Sequence, residues 1–219
     1  MSVEGLLPIE AASSGLASLE RMLWQAVSTE VHAGGGQVIA FTAPESEAGT
    51  TSLTASAAAG LARHLRLRIA VVEAHMSRPF LASACGVDQR PGLSEVLLGA
   101  VPLESALRSP EALPNLTVLP AGAPRQAAPG EFAGEAFAQV MQTLRASHDA
   151  VLVDAPPTLE EPGTLALLRS AQAAVLVTRA RASRKAGVEE ATRLIEGAGT
   201  RLLGAVLNRW RPELARGIG

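Results

Sequence analysis

Apolar residues gather into six short runs along the chain: QVIAFT (37–42), RIAVVEA (68–74), LTVLPA (116–121), AVLVDAPP (150–157), AAVLVTRA (173–180) and RLLGAVLN (201–208). Each is nearly continuous rather than alternating, the pattern of strands covered on both faces, and predicts a mostly parallel sheet. Between the runs the spacing becomes helical. Phe137, Val140, Met141 and Leu144 fall at i, i+3, i+4 and i+7, one apolar stripe. Val188, Ala191, Leu194 and Ile195 make a second stripe that stops at glycines. A further helix is predicted over roughly 13–32, ahead of the glycines at 34–36. Strand and helix therefore alternate, which predicts a three-layer, doubly wound α/β fold with helices flanking the sheet. The expected organisation is an N-terminal helical segment, 1–35, and one domain, 36–219. The Gly/Pro-rich stretch 120–130 reads as a loop at a strand's end, because the alternation resumes after it.

Composition narrows the function classes. A chain of 219 residues, 47% apolar and 18% charged with a net charge of −2, is expected to be a globular protein with no general attraction to nucleic acid or anionic membrane. Cys85 is the only cysteine, so neither an intrachain disulfide nor a cysteine metal cluster can be built. The first residues lack the basic and apolar regions of a signal peptide, and no run of about 18 apolar residues occurs. A cytoplasmic protein without direct membrane insertion is the expectation. Two absences are sharper: there is no tyrosine, and among 19 basic residues only Lys185 is a lysine.

The chemistry is concentrated at 38–62, VIAFTAPESEAGTTSLTASAAAGLA, a strand running through a loop into a helix. A working phosphate loop needs glycines that let backbone N–H groups curl around phosphate, a lysine to neutralise it, and a Ser/Thr hydroxyl for Mg²⁺. Here Gly49 allows close approach and Thr51 supplies a hydroxyl, but Thr50 stands where lysine is expected and Glu47 where a glycine is wanted. One charge pair at about 4 Å is worth roughly 4 kcal/mol at an effective dielectric of about 20. Losing that attraction, and adding repulsion from Glu45 or Glu47, argues against tight triphosphate binding. No residue near the loop in sequence replaces the lysine.

The order of segments resembles the MinD/ParA-type P-loop ATPases and, within them, the cytoplasmic domain of bacterial tyrosine autokinases (BY-kinases) of capsule and exopolysaccharide synthesis. The resemblance covers about residues 15 to 210. SEAGTTS followed by LTASAAAGLA stands at the family's phosphate loop. VVEAHMSRPF stands at its Asp-x-Asp motif, with Glu73 and His75 in the acidic places and Arg78 and Pro79 kept. GLSEVLLGAVPLESAL and NLTVLPAGAP match two further segments. HDAVLVDAPPTLEEPGTLALL matches the Walker B segment, and VLVTRARAS and GAVLNRW complete the series. The resemblance implies a nucleotide site formed by Ser46, Glu47, Ala48, Gly49, Thr50, Thr51, Arg78 and Asn208, the last at the position used for the purine base. Asp154 and Thr51 are implied as the Mg²⁺ positions, and Glu73, His75 and Asp154 as the places equivalent to catalytic residues.

The same resemblance implies degeneracy. His75 removes an anionic ligand or base, although Glu73 keeps a carboxylate for a cation. The family's tyrosine-rich tail is not seen, and a chain without tyrosine cannot autophosphorylate on tyrosine. The ring-assembly motif reduces to Ser18, Arg21 and Trp24. The expected function is a non-catalytic, BY-kinase-like regulator or scaffold in exopolysaccharide synthesis and export, docked on a membrane-embedded polysaccharide co-polymerase, with homo- or hetero-oligomers, no nucleic-acid partner and no required cofactor. The alternatives are an active ATPase or protein kinase that takes ATP and Mg²⁺, and a MinD/ParA-like positioning module. His32, His64 and His148 read as structural, and Trp24 and Trp210 as packing or interface anchors. The basic cluster of Arg179, Arg181, Arg184 and Lys185 reads either as a solvated helix start or as a dock for an acidic partner.

Overall fold

The structure is a computed structural model that describes residues 13–30, 36–128 and 130–209. All six apolar runs form strands: β1 (Gln37–Thr42), β2 (Ile69–Glu73), β3 (Leu116–Leu119), β4 (Ala150–Asp154), β5 (Ala173–Arg179) and β6 (Arg201–Asn208). They make one sheet in the order β3-β2-β4-β1-β5-β6, and every adjacent pair is parallel. Residues of β1, β2 and β4 are buried throughout, as unbroken apolar runs require when helices cover both faces. Several runs extend past their strands. In AVLVDAPP the ladder stops at Asp154, because Pro156 and Pro157 have no N–H to donate.

The helices are α1 (Ser13–Glu30), α2 (Thr50–His64), α3 (Leu81–Cys85), α4 (Leu93–Leu97), α5 (Leu103–Ala106), α6 (Glu135–Ser147), α7 (Gly163–Leu168) and α8 (Lys185–Gly197). On one face Ile39, Phe41, Val71, Leu152 and Val175 pack with α1, α2 and α3. On the other, Val38, Val72, Val151, Val153 and Leu176 pack with α6, α7 and α8. The stripe Phe137, Val140, Met141 and Leu144 is wholly buried. In α8 only Ala191 and Ile195 are fully buried.

Leu19, Leu23, Ala26 and Val27 of α1 lie in the same core cluster as α2 and the sheet. The helix read from the sequence as a preceding segment thus shares the core of the main unit, and Gly60 of α2 lets it come close: a Cβ there would meet the Glu20 carboxylate at 2.0 Å. His64 gains an acidic partner in that contact, with Glu20 at 3.1 Å, and His148 bonds the Leu144 carbonyl and the Thr117 hydroxyl. His32 and Trp210 lie outside the described residues. No described helix is long and apolar enough to cross a membrane.

β1 sits between β4 and β5, so the chain leaves the centre of the sheet in opposite directions. The crevice at the C-terminal ends of the strands, beside β1, is where such sheets bind ligands.

Candidate functional site

The loop after β1 is stitched to the loop after β4. The Thr42 hydroxyl donates to the Pro156 carbonyl at 2.7 Å, and Thr158 donates both its N–H and its hydroxyl to the Ala43 carbonyl. Next along the chain, Ser46 donates its N–H to Glu160 at 2.8 Å and its hydroxyl to the other oxygen of the same carboxylate. These two bonds hold the Glu160 carboxyl below its usual value.

Two residues then take left-handed backbone, Glu47 at φ 64 and Gly49 at φ 86. For Glu47 that conformation costs on the order of 1 kcal/mol, and it explains why a glycine is the fitting residue there. Its carboxylate leaves the loop to meet Arg179 at 3.3 Å. Gly49 is required for a second reason: a Cβ would lie 2.4 Å from the Asn208 amide nitrogen. Asn208 donates that amide to the Ala48 carbonyl at 2.8 Å and accepts the Arg209 N–H on its oxygen. The amide nitrogen thus secures the loop, and the oxygen fixes the side chain against the end of its own strand.

α2 starts at Thr50, and its first helical bond runs from the Leu53 N–H to the Gly49 carbonyl. The N–H groups of Thr50, Thr51 and Ser52 consequently have no helical acceptor and carry the positive end of a 15-residue helix dipole. They stand at a cavity of about 410 Å³ walled by residues 45–52, His75, Arg78, Phe80 and Arg209. A space of this size suits a small-molecule ligand. Arg78 is exposed; its N–H donates to the His75 carbonyl, while its guanidinium faces the cavity without a hydrogen bond or ion pair among the described residues. The fold thus brings Arg78 and Arg209 to a wall that has no cation near it in sequence.

The predicted metal positions come together. Thr51 donates its hydroxyl to Asp154 Oδ2 at 2.7 Å. Asp154 is 1% exposed, its Oδ1 has no partner among the described residues, and burial, reinforced by the negative charge of Glu73, pushes its carboxyl up to about 8. An unpaired buried carboxylate oxygen beside a threonine hydroxyl suits a small oxygen-seeking divalent cation such as Mg²⁺. The phosphate end fits less well, since Thr50 supplies no charge. No group of three His, Cys, Asp or Glu residues that could hold a metal occurs among the described residues.

Glu73 and His75 behave differently from each other. Glu73 is fully buried and accepts the N–H groups of Phe80, Leu81 and Ala121. Its carboxylate caps α3 and ties the β3 loop, leaving it no open side for a cation. His75 faces the cavity, with Nε2 3.5 Å from Glu161, whose same oxygen takes the Ser77 hydroxyl at 2.9 Å. Burial lowers the His75 pKa below its ordinary value while Glu161 pulls it upward. Cys85 is buried next to this cap, and burial raises its thiol to about 12, which excludes it as a nucleophile at neutral pH. Sequence reasoning missed Glu160 and Arg179 as partners of the loop, Glu161 as the partner of His75 and Ser77, and Arg209 as a wall residue. Glu160 and Glu161 are adjacent carboxylates in TLEEPG, but nothing local in that segment says which loop they reach.

No family model matches the chain. Over 196 residues it is 27% identical to EpsB of Ralstonia nicotianae, covering 90% of this chain and 26% of that protein, and 26% identical to the tyrosine-protein kinase ptk of Acinetobacter johnsonii over 78% of this chain and 23% of that one. Among solved structures, the kinase domain of the Escherichia coli tyrosine kinase ETK superposes with a TM-score of 0.81 at 21% identity, over 96% of this chain and 82% of that chain. MinD of Pyrococcus horikoshii, a complex with Mg-ADP, gives 0.69 at 25% identity over 80% and 71% of the two chains. The chain is a relative of bacterial tyrosine kinases and MinD-type P-loop ATPases. Its parallel sheet with flanking helices is the P-loop NTPase-like fold of that group. The chain spans about a quarter of the length of EpsB and of ptk.

Proposed function

We propose that this chain is a non-catalytic, BY-kinase-like regulator or scaffold of exopolysaccharide synthesis and export. It keeps the nucleotide-site framework of its relatives without the means to grip a triphosphate, and its partner is a membrane-embedded polysaccharide co-polymerase. The observation that carries this reading is Thr50 at the first turn of α2, facing the cavity with no charge at the place where a cation would bind phosphate. Two further features point the same way. Glu73 is consumed as a structural cap, and Glu47 adds a negative charge to the loop, answered by Arg179.

A second reading is favoured by one feature: the unpartnered Asp154 Oδ1 beside Thr51, with Arg78 across the cavity. In it, Thr51 and Asp154 hold Mg²⁺, the first N–H groups of α2 and Arg78 bind phosphate, and the chain acts as an ATPase or protein kinase. The bound metal would supply charge neutralisation of the phosphates.

Incubation with labelled ATP and Mg²⁺ separates the two. The proposal expects no phosphate release and no protein labelling above the level of an Asp154→Ala variant. Sustained hydrolysis that disappears in Asp154→Ala would establish the second reading instead. Docking is tested by co-purification with the cytoplasmic segments of a polysaccharide co-polymerase from the same organism, and the absence of any complex contradicts that part of the proposal.

A further inference from the structure

The two edges of the sheet are treated differently. β3 is four residues long, and its outer side is closed by Arg108, which both donates to and accepts from Val118. β6, at the other edge, is eight residues long and pairs only with β5 among the described residues. Between Arg201 and Asn208 it reads LLGAVL, with no charge and no proline; the register with β5 shifts at Leu203, and from Gly204 to Asn208 the strand is regular and lacks the usual protections of an edge strand. Leu207 is 56% exposed, and Ala205, two residues before it, is exposed as well.

The direction of the free backbone groups can be fixed. The Asn208 carbonyl accepts the Ala180 N–H and the Val206 carbonyl accepts the Thr178 hydroxyl at 3.2 Å, so both residues turn their backbone groups toward β5. Successive residues of a strand alternate. Ala205 and Leu207 therefore point their N–H and C=O groups away from the sheet. Backbone groups presented in this way form a ready template for another strand.

We infer that β6 is the edge at which two copies of this chain join, antiparallel about a two-fold axis at Val206, into one continuous sheet. In that register Ala205 of one copy pairs with Leu207 of the other, and each residue exchanges two backbone hydrogen bonds. The small side chain lies directly opposite the large one on the same face, so the exposed Leu207 is covered twice by the symmetry. The regular pairing runs from Gly204 to Asn208, and no charged residue lies within it. A second copy is the occupant that this self-complementary pattern fits. α1 already covers the other face of the strand, where Met22 lies 3.4 Å from the position of a Cβ on Gly204.

Sedimentation velocity as a function of concentration tests the inference. The intact chain is expected to dimerise, and Ala205→Pro, which removes an outward N–H and leaves the β5 ladder intact, is expected to be monomeric with an unchanged circular dichroism spectrum. Leu207→Lys, a surface change that does not threaten folding, is expected to weaken the dimer at least about tenfold. Hydrogen exchange adds an independent readout: the N–H groups of residues 205 and 207 become protected only at concentrations where dimer forms. A chain that is monomeric at every concentration, or a dimer that Leu207→Lys leaves as tight as before, overturns the inference. So does protection of those two N–H groups in the monomer, which would place another segment on the edge.

Discussion

Glu47 shows how a single residue can keep a loop's shape while losing its chemistry. Its left-handed backbone is the one glycine adopts without strain. Replacing it separates conformation from charge. Glu47→Gly is expected to be about 1 kcal/mol more stable than Glu47→Ala in denaturant unfolding, because both lose the Arg179 pair and only alanine keeps the strain. Equal stabilities would show that the loop carries no strain there. Asp154 is the second residue whose state can be read from outside. Its folded-state value is raised to about 8 against 3.8 in a model chain, so the folded form holds a proton that the unfolded form releases. Stability must then fall as pH rises from about 4 to about 8, by several kcal/mol at about 1.4 kcal/mol per unit. Asp154→Asn is expected to flatten that dependence and to be the more stable form at pH 8. A wild-type stability that does not change over this range would contradict the burial of an unpaired carboxyl.

At the scale of elements, the six strands and the longer helices were legible because burial on two faces or one leaves a periodic trace in the sequence. α3, α4, α5 and α7, each of four to six residues, were not, since a single turn or so is too short for a stripe. The N-terminal helix was legible as a helix but not as part of the main core, because its partners on α2 and the sheet are distant in sequence. Glu73 illustrates the same limit at the site. Its position at a strand end suggested a cation ligand, and only the fold shows three backbone N–H groups from two other segments converging on it. Glu73→Gln, which keeps the size but loses the charge and one acceptor oxygen, is expected to cost about 2 kcal/mol and to loosen α3 and the β3 loop together in hydrogen exchange. A variant as stable as the parent would return Glu73 to the pool of available ligands.

For the whole molecule, under the proposed function, the framework and the chemistry of the crevice have separated. The position of the crevice follows from β1 lying between β4 and β5, and the loop, the helix N-terminus, Thr51 and Asp154 are assembled there as in a nucleotide site. Arg78 was legible only through the family resemblance, and Arg209, which also lines the cavity, was not legible, because its approach depends on the sheet order rather than on spacing. Under the proposed function the cavity persists, and the missing cation at residue 50, with the added charge at residue 47, keeps triphosphate out. Titration calorimetry with Mg·ATP tests it most directly. The intact chain is expected to show no saturable binding, and the double variant Glu47→Gly/Thr50→Lys to bind with an affinity that falls again when Asp154→Ala is added. Tight binding by the intact chain that Asp154→Ala abolishes would contradict the account.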